Sequence, residues 1–248
     1  MMSKYQREIN LLIGKQKKPV LRLYDLGLII FNFYKEVHTE TPSSDIFYNH
    51  LNSALESGVL NRSEFDYDTY HVLGKYQHNP YEIICAIDDF CCLSHLSSMK
   101  HNGLTPRMPY TIYITCPSNW DEVAKEKMKD DLGADYQQYI KCGLPKLVQA
   151  IIRKIGVYKI KYQISSDMED KHISKPSNVV TRSFGIVGTM ENMLKEPWLC
   201  GGELHVAEIF EEMLDESHPK YCFAIEIKDD IEHFNLKYKI SGTEWLKN

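Results

Sequence analysis

A chain of 248 residues that is 43% hydrophobic and 25% charged is too apolar to be disordered and long enough for one large or two modest cores. Its formal net charge of −5 argues against a general nucleic-acid coat, although a small DNA-reading domain needs only a local positive field. No apolar run reaches bilayer-spanning length and the opening MMSKYQREIN has no signal-peptide hydrophobic region, so a cytoplasmic protein with no membrane partner is expected.

The cysteines at 85, 91, 92, 116, 142, 200 and 222 form no CxxC pair and no Cys/His metal spacing. Reduced, mostly buried thiols are expected, with no metal and no cofactor. The first 22 residues carry Lys4, Arg7, Lys15, Lys17, Lys18 and Arg22 against Glu8 alone, which is the strongest local positive charge in the chain.

In chain order, residues 4–16 read as a helix with Ile9, Leu12 and Ile13 on one face. Val20 to Leu23 reads as a short strand. Asp25 is placed to cap a second helix through Leu26, Ile29, Ile30, Phe33 and Val37. After a polar break at Thr39 to Pro42, Ser43 or Ser44 caps a third helix carrying Phe47, Leu51, Ala54 and Leu55, and Gly58 ends it. Val59 and Leu60 then read as a strand, Asn61 to Glu64 as a turn and Phe65 to Leu73 as an aromatic-rich strand.

Three helices followed by a two-stranded ribbon is the order of a winged helix-turn-helix, in which the third helix enters the major groove. Its outward face would carry Tyr48, Asn49, Asn52 and Ser53, and asparagine can read adenine in bidentate fashion. Lys15, Lys17, Lys18 and Arg22 would hold backbone phosphates, with Arg62 reaching phosphate from the ribbon turn. Asp45 and Glu56 share the helix surface and would repel DNA, so a scaffold or protein-docking role for the same helix stays open.

GKYQHNP at 74–80 reads as a linker, giving an expected first domain over 1–75 and a second over 76–248. The second begins with Tyr81 to Cys85 and is organised around Cys92 to Thr115. There Leu93, Leu96 and Met99 recur at helical spacing, Gly103 suits a left-handed C-cap, and Tyr110 to Thr115 alternates as a strand. His95 and His101 read as packing or capping groups. Ser118 or Asn119 starts a helix through Trp120, Val123, Lys127 and Met128 to Gly133. Leu144 to Ile155 reads as another helix striped by Leu147, Ile151 and Ile155. Tyr158 to Ile164 alternates as a half-exposed strand, Ser165 to Ser177 reads as a polar loop, and Val179 to Thr181 as a further strand.

Thr189 is placed to cap a short helix that stops before Pro197. Gly201 and Gly202 make a tight turn, and an amphipathic helix follows through Val206, Ile209, Phe210 and Met213. That glycine pair lacks the preceding strand and spacing of a nucleotide-binding loop. Tyr221 to Ile227 and Glu232 to Ile240 alternate as strands, ending at Trp245. Glu226-Ile227-Lys228 on a strand would be half of a metal-dependent nuclease signature, but no convincing aspartate partner stands by; Asp167 lies in a polar loop.

Two stretches carry a family resemblance. His101-Asn102-Gly103-Leu104-Thr105, followed by Pro109 to Thr115, resembles the junction of AbiEi-family antitoxins. The segment from Met190 to Gly202 resembles the same family's L-D-M-L-x-x-P-x-L-C-G-G element, with Asn192 where aspartate is common. The resemblance covers roughly 80–116 and 182–213. It implies an α+β protein: an N-terminal winged helix binding promoter DNA, then a mixed α/β antitoxin domain. It also implies a non-enzymatic antitoxin and autorepressor of a type IV system, countering an AbiEii-like nucleotidyltransferase toxin without stable binding. The alternative is a protein-interaction subunit of a defence or toxin complex that does not bind DNA.

Overall fold

The computed structural model describes residues 4–37, 41–66, 68–75, 79–166, 168, 173–174 and 181–244. Residues 38–40 of the polar break, 76–78 of the linker, Asp167, positions 179–180 and Trp245 lie outside the described residues. The fold is mixed α+β in two compact units, one of residues 1–90 with 117–156 and the other of 91–116 with 157–248.

The first unit opens with helix α1 (Lys4–Gly14), strand β1 (Val20–Arg22) and helix α2 (Leu23–Glu36). Ile9 and Ile13 recur one turn apart on α1 and are buried. At the start of α2, Asp25 accepts a hydrogen bond of 2.9 Å from the Arg22 backbone N–H. Asp25 therefore sits in the third helical position, with Arg22 rather than Asp25 at the cap. Helix α3 (Ser44–Glu56) is capped by Ser43, whose Oγ accepts from the Ile46 N–H. Gly58, at φ +72°, turns the chain out of it.

Strands β2 (Leu60–Arg62) and β3 (Thr69–Val72) follow, and the antiparallel sheet has the order β1-β3-β2. The third strand is shorter than the expected Phe65 to Leu73. Residues 63–66 turn instead, with the Phe65 N–H donating to Ser63 Oγ and Thr69 Oγ1 donating to the Asp66 carbonyl. Arg62 lies in β2 and not in the turn.

The expected boundary at 75–76 falls inside this unit. Pro80 opens helix α4 (Pro80–Ile87), capped by Asn79 Oδ1, and α4 packs on β1. Helix α6 (Trp120–Leu132) and the short α7 (Tyr136–Lys141) also belong here. Trp120, Ala124, Met128 and Leu132 recur every four residues along one face and join Ile13, Tyr24, Phe31 and Phe47 in one core. Tyr139 stands edge-on to Tyr24 and Phe31.

The helix expected over Leu144 to Ile155 is absent. The segment is irregular until the short strand β6 (Lys154–Ile155), and it buries Leu144, Leu147, Ala150, Ile152 and Ile155 while leaving Ile151 69% exposed. Gly143 at φ +67° turns the chain out of α7, and Pro145 disfavours helical backbone at Leu144 before it.

In the second unit, β4 (Cys92–Leu93) enters helix α5 (His95–His101), and Gly103 at φ +70° stops it as expected. Leu93 is a strand residue. Within this unit the sheet runs β7-β5-β4-β9-β8, where β5 is Thr111–Pro117, β7 Tyr158–Ser165, β8 Ile173–Ser174 and β9 Ser183–Phe184. Helix α8 (Ile186–Lys195) begins at Gly185, so Thr189 lies in its interior and its hydroxyl donates back to the Gly185 carbonyl at 2.8 Å. Helix α9 (Glu203–Met213) follows Gly201 and Gly202, both at positive φ.

The two strands expected in the tail are helices α10 (Tyr221–Glu226) and α11 (Lys228–Glu244). Ala224, Ile231 and Phe234 turn inward against Val206, Phe210 and Met213, with Phe234 edge-on to Phe210. Glu226 and Lys228 therefore share no strand, and Lys228 pairs with Glu232 one turn on.

Candidate nucleic-acid interface

Helix α3 and the cations around it form the candidate surface of the first unit. The helix buries Phe47, His50, Leu51, Ser53 and Ala54, so its solvent face is set by what remains. Tyr48, 49% exposed, stands with Asn49 and Asn52 on that face, and Asp45 and Glu56 are exposed with them. Ser53 is only 7% exposed and belongs to the buried side, which corrects its placement on the outward face. His50 Nε2 lies 2.9 Å from the Tyr34 hydroxyl, and burial lowers its pKa, which keeps the imidazole neutral inside the helix pair.

The expected phosphate contacts divide into three groups. Lys15 and Lys17 are exposed on the connection between α1 and β1. Lys18 is different: its Nζ lies 3.1 Å from carboxylate oxygens of both Asp25 and Asp89. Burial works against its charge, but the two carboxylates outweigh it and raise the pKa. Lys18 is a charged strut whose field is already answered.

Arg22 is 4% exposed and cannot lie on an open DNA face, because β1 is a buried strand paired with β3. Arg62 is exposed on β2, its guanidinium carbon 6.0 Å from the Tyr70 ring centroid, at the outer limit of a cation–π contact.

Cations that no local pattern pointed to come from 143–156. Lys146 shares a cleft with Tyr48, and Arg153 and Lys154 line another with Glu64 and Phe65 of the β2–β3 turn. They reach α3 and the hairpin only because the irregular segment packs back onto the first unit, a long-range event with no sequence period.

The second unit holds a polar cluster of its own. His95 is buried, stands at φ +48° where β4 turns into α5, and has its Nδ1 2.9 Å from Ser94 Oγ and its Nε2 2.7 Å from Glu196 Oε2. Burial lowers its pKa against the pull of Glu196, which favours a neutral ring donating from Nε2 and accepting at Nδ1. Ser98, Asn102 and Thr189 converge on the Phe184 carbonyl. Asn102 donates to the hydroxyls of both Ser98 and Thr189. Burial pushes the Cys200 thiol up to about 12, so it is an inert buried group. These are hydrogen-bonded joints between helices.

Among the described residues, no cluster of histidine, cysteine or acidic side chains is placed to hold a metal ion, and no helix is long and apolar enough to cross a membrane. No protein-family model matches the chain, and no curated protein matches it.

Proposed function

We propose that the first unit carries a winged helix-turn-helix and that the protein is a promoter-binding antitoxin of a type IV toxin–antitoxin pair. The observation that carries the DNA part is the order α1-β1-α2-α3-β2-β3 closed by the sheet β1-β3-β2. In that arrangement α3 lies in the major groove and the hairpin rests beside it. Asn49 and Asn52 read base edges, Tyr48 packs against them, and Lys15, Lys17 and Arg62 hold phosphates. Lys146, Arg153 and Lys154 add to the field around the hairpin.

The antitoxin part rests on the AbiEi-like stretches around Gly103 and Gly201–Gly202, both of which mark helix ends of the second unit. On this reading the protein performs no chemistry. It represses its own promoter and counters a nucleotidyltransferase-like toxin in the cytoplasm.

Fluorescence anisotropy on duplex DNA from upstream of its own gene, beside a scrambled duplex, tests the DNA part. Selective binding that weakens from low to physiological salt is expected, whereas equal weak binding to both duplexes overturns it. Co-expression with the neighbouring open reading frame tests the other part: rescue of growth is expected, and continued toxicity removes it.

A second reading, a protein-docking subunit, draws on Asp45 and Glu56 exposed on α3, the neutralised Lys18 and the buried Arg22. It requires a stable stoichiometric complex with the neighbouring gene product and no DNA affinity.

A further inference from the structure

We propose that the cleft at the start of α2 is a binding site for a small phosphate oxyanion, held by Arg22 and Lys146. The cleft has a volume of about 230 Å³ and is lined by Arg22, Leu23, Tyr24, Tyr48, Asp68 and Lys146, with Gly143, Pro145 and Val148 completing its wall.

Arg22 is the reason to look there. It is 4% exposed, its Nη1 is buried with no acceptor among the described residues, and it makes no ion pair among them. A guanidinium is a permanent cation with donors only, and this one lines the cleft with no ion pair among the described residues. The nearest acid in sequence, Asp25, is already engaged by Lys18 and by the Arg22 backbone N–H. A largely buried arginine without a counter-ion is costly, and an anion in the cleft it lines offsets part of that cost. Nη1 itself is closed to solvent and stays out of the anion's reach.

Two further features converge on the same space. Arg22 occupies the cap position of α2, and a guanidinium has donors only, so no side-chain acceptor there serves the first turn. The positive end of a 14-residue helix thus opens at the cleft. Lys146, exposed and part of the same lining, adds an ammonium. Asp68 is the one opposing acid on the lining. Its carbonyl accepts from the Leu23 N–H at 3.1 Å, which holds that residue by its backbone.

Size and chemistry choose the ligand class. A volume of about 230 Å³ is below the roughly 300–1,000 Å³ of drug-sized sites, so it takes a phosphate group with few atoms attached. Phosphate offers enough oxygens to meet a guanidinium fork and an ammonium together. Tyr48 ties the cleft to α3, so an occupant touches the helix assigned to DNA without depending on that assignment.

Isothermal titration of inorganic phosphate into the full-length protein, at fixed ionic strength against chloride, tests the proposal. Saturable one-to-one binding is expected, weakened at least about tenfold in Lys146→Gln, where an exposed charge is lost without disturbing the core. Arg22→Lys, which keeps the charge but loses the fork, weakens it further. Absence of saturable heat overturns the site, as does equal affinity in the wild type and Lys146→Gln. Repeating the titration with duplex bound separates the sources of phosphate. Unchanged affinity identifies a free anion, and competition identifies a duplex phosphate that takes the exposed Lys146 in its place. The titration without DNA stands whether or not the protein binds duplex.

Discussion

At the scale of single residues, charge count and charge availability part company. Lys17 and Lys18 are neighbours in sequence, yet Lys17 is exposed while Lys18 is clamped between Asp25 and Asp89. Lys17→Ala is therefore expected to flatten the salt dependence of DNA binding by about one unit with little change in stability. Lys18→Ala leaves two half-buried carboxylates facing each other and costs about 1–3 kcal/mol, between the values for surface and buried pairs. Thermal denaturation beside salt-dependent anisotropy distinguishes the two; a loss of salt slope in Lys18→Ala would show that its charge reaches DNA after all. His95 gives a pH signature of a different kind. Its folded pKa lies below the ordinary 6.5, chiefly through burial. As pH falls through 6.5 the unfolded chain takes up a proton that the folded chain refuses, so stability present above that pH is lost below it. Stability measured by urea denaturation should decline from pH 7 to 5, and less steeply in His95→Asn, which tolerates the positive φ. His50 and His205 shift the same way, so the variant retains part of the slope.

At the scale of elements, a short run of apolar residues fits more than one period. Residues 221–240 alternate well enough for strands, but Ala224, Ile231 and Phe234 are also spaced at helical turns, and the apolar face of α9 selects the helix. The segment 144–155 goes the other way: Leu147, Ile151 and Ile155 recur every four residues, yet the backbone there is irregular and leaves Ile151 exposed. By contrast α1, α2, α3, α6 and α9 were legible because long stripes coincide with caps or glycine stops. Of the candidate site, the exposed asparagines of α3 could be read from its stripe. The burial of Arg22 and the arrival of Lys146 could not, since both follow from tertiary packing. Gly27 inside α2 makes the same point energetically. Alanine there should help an isolated helix by about 1 kcal/mol. A Cβ at this position would run into the Tyr139 hydroxyl, which donates to the Pro145 carbonyl at 2.7 Å. Gly27→Ala is expected to destabilise by about 1–3 kcal/mol, and Tyr139→Phe in the same chain to recover part of it. Additive losses in urea denaturation of the two single variants and the pair would remove this explanation.

At the scale of the whole molecule, the first unit is discontinuous in sequence, and this decides which pieces can stand alone. Its core joins Ile9, Tyr24, Phe31 and Phe47 to Trp120, Met128, Leu132, Tyr139 and Leu147. Trp120 also donates its indole N–H to Asp88, at 3.1 and 3.2 Å from the two carboxylate oxygens. A fragment of residues 1–75 contains every element of the α1-β1-α2-α3-β2-β3 order but leaves the inner faces of α2 and β1 without these partners. Burial of large side chains in such a core contributes about 1.5–3 kcal/mol each, comparable in sum with the whole stability of a domain. The fragment is therefore expected to lack a cooperative thermal transition, while the full chain keeps one. Trp120→Ala in the full chain should lower stability by about 3–5 kcal/mol and reduce DNA binding only in proportion to the unfolded fraction. A fragment that melts cooperatively near the temperature of the full chain would show instead that the returning helices decorate an independent domain.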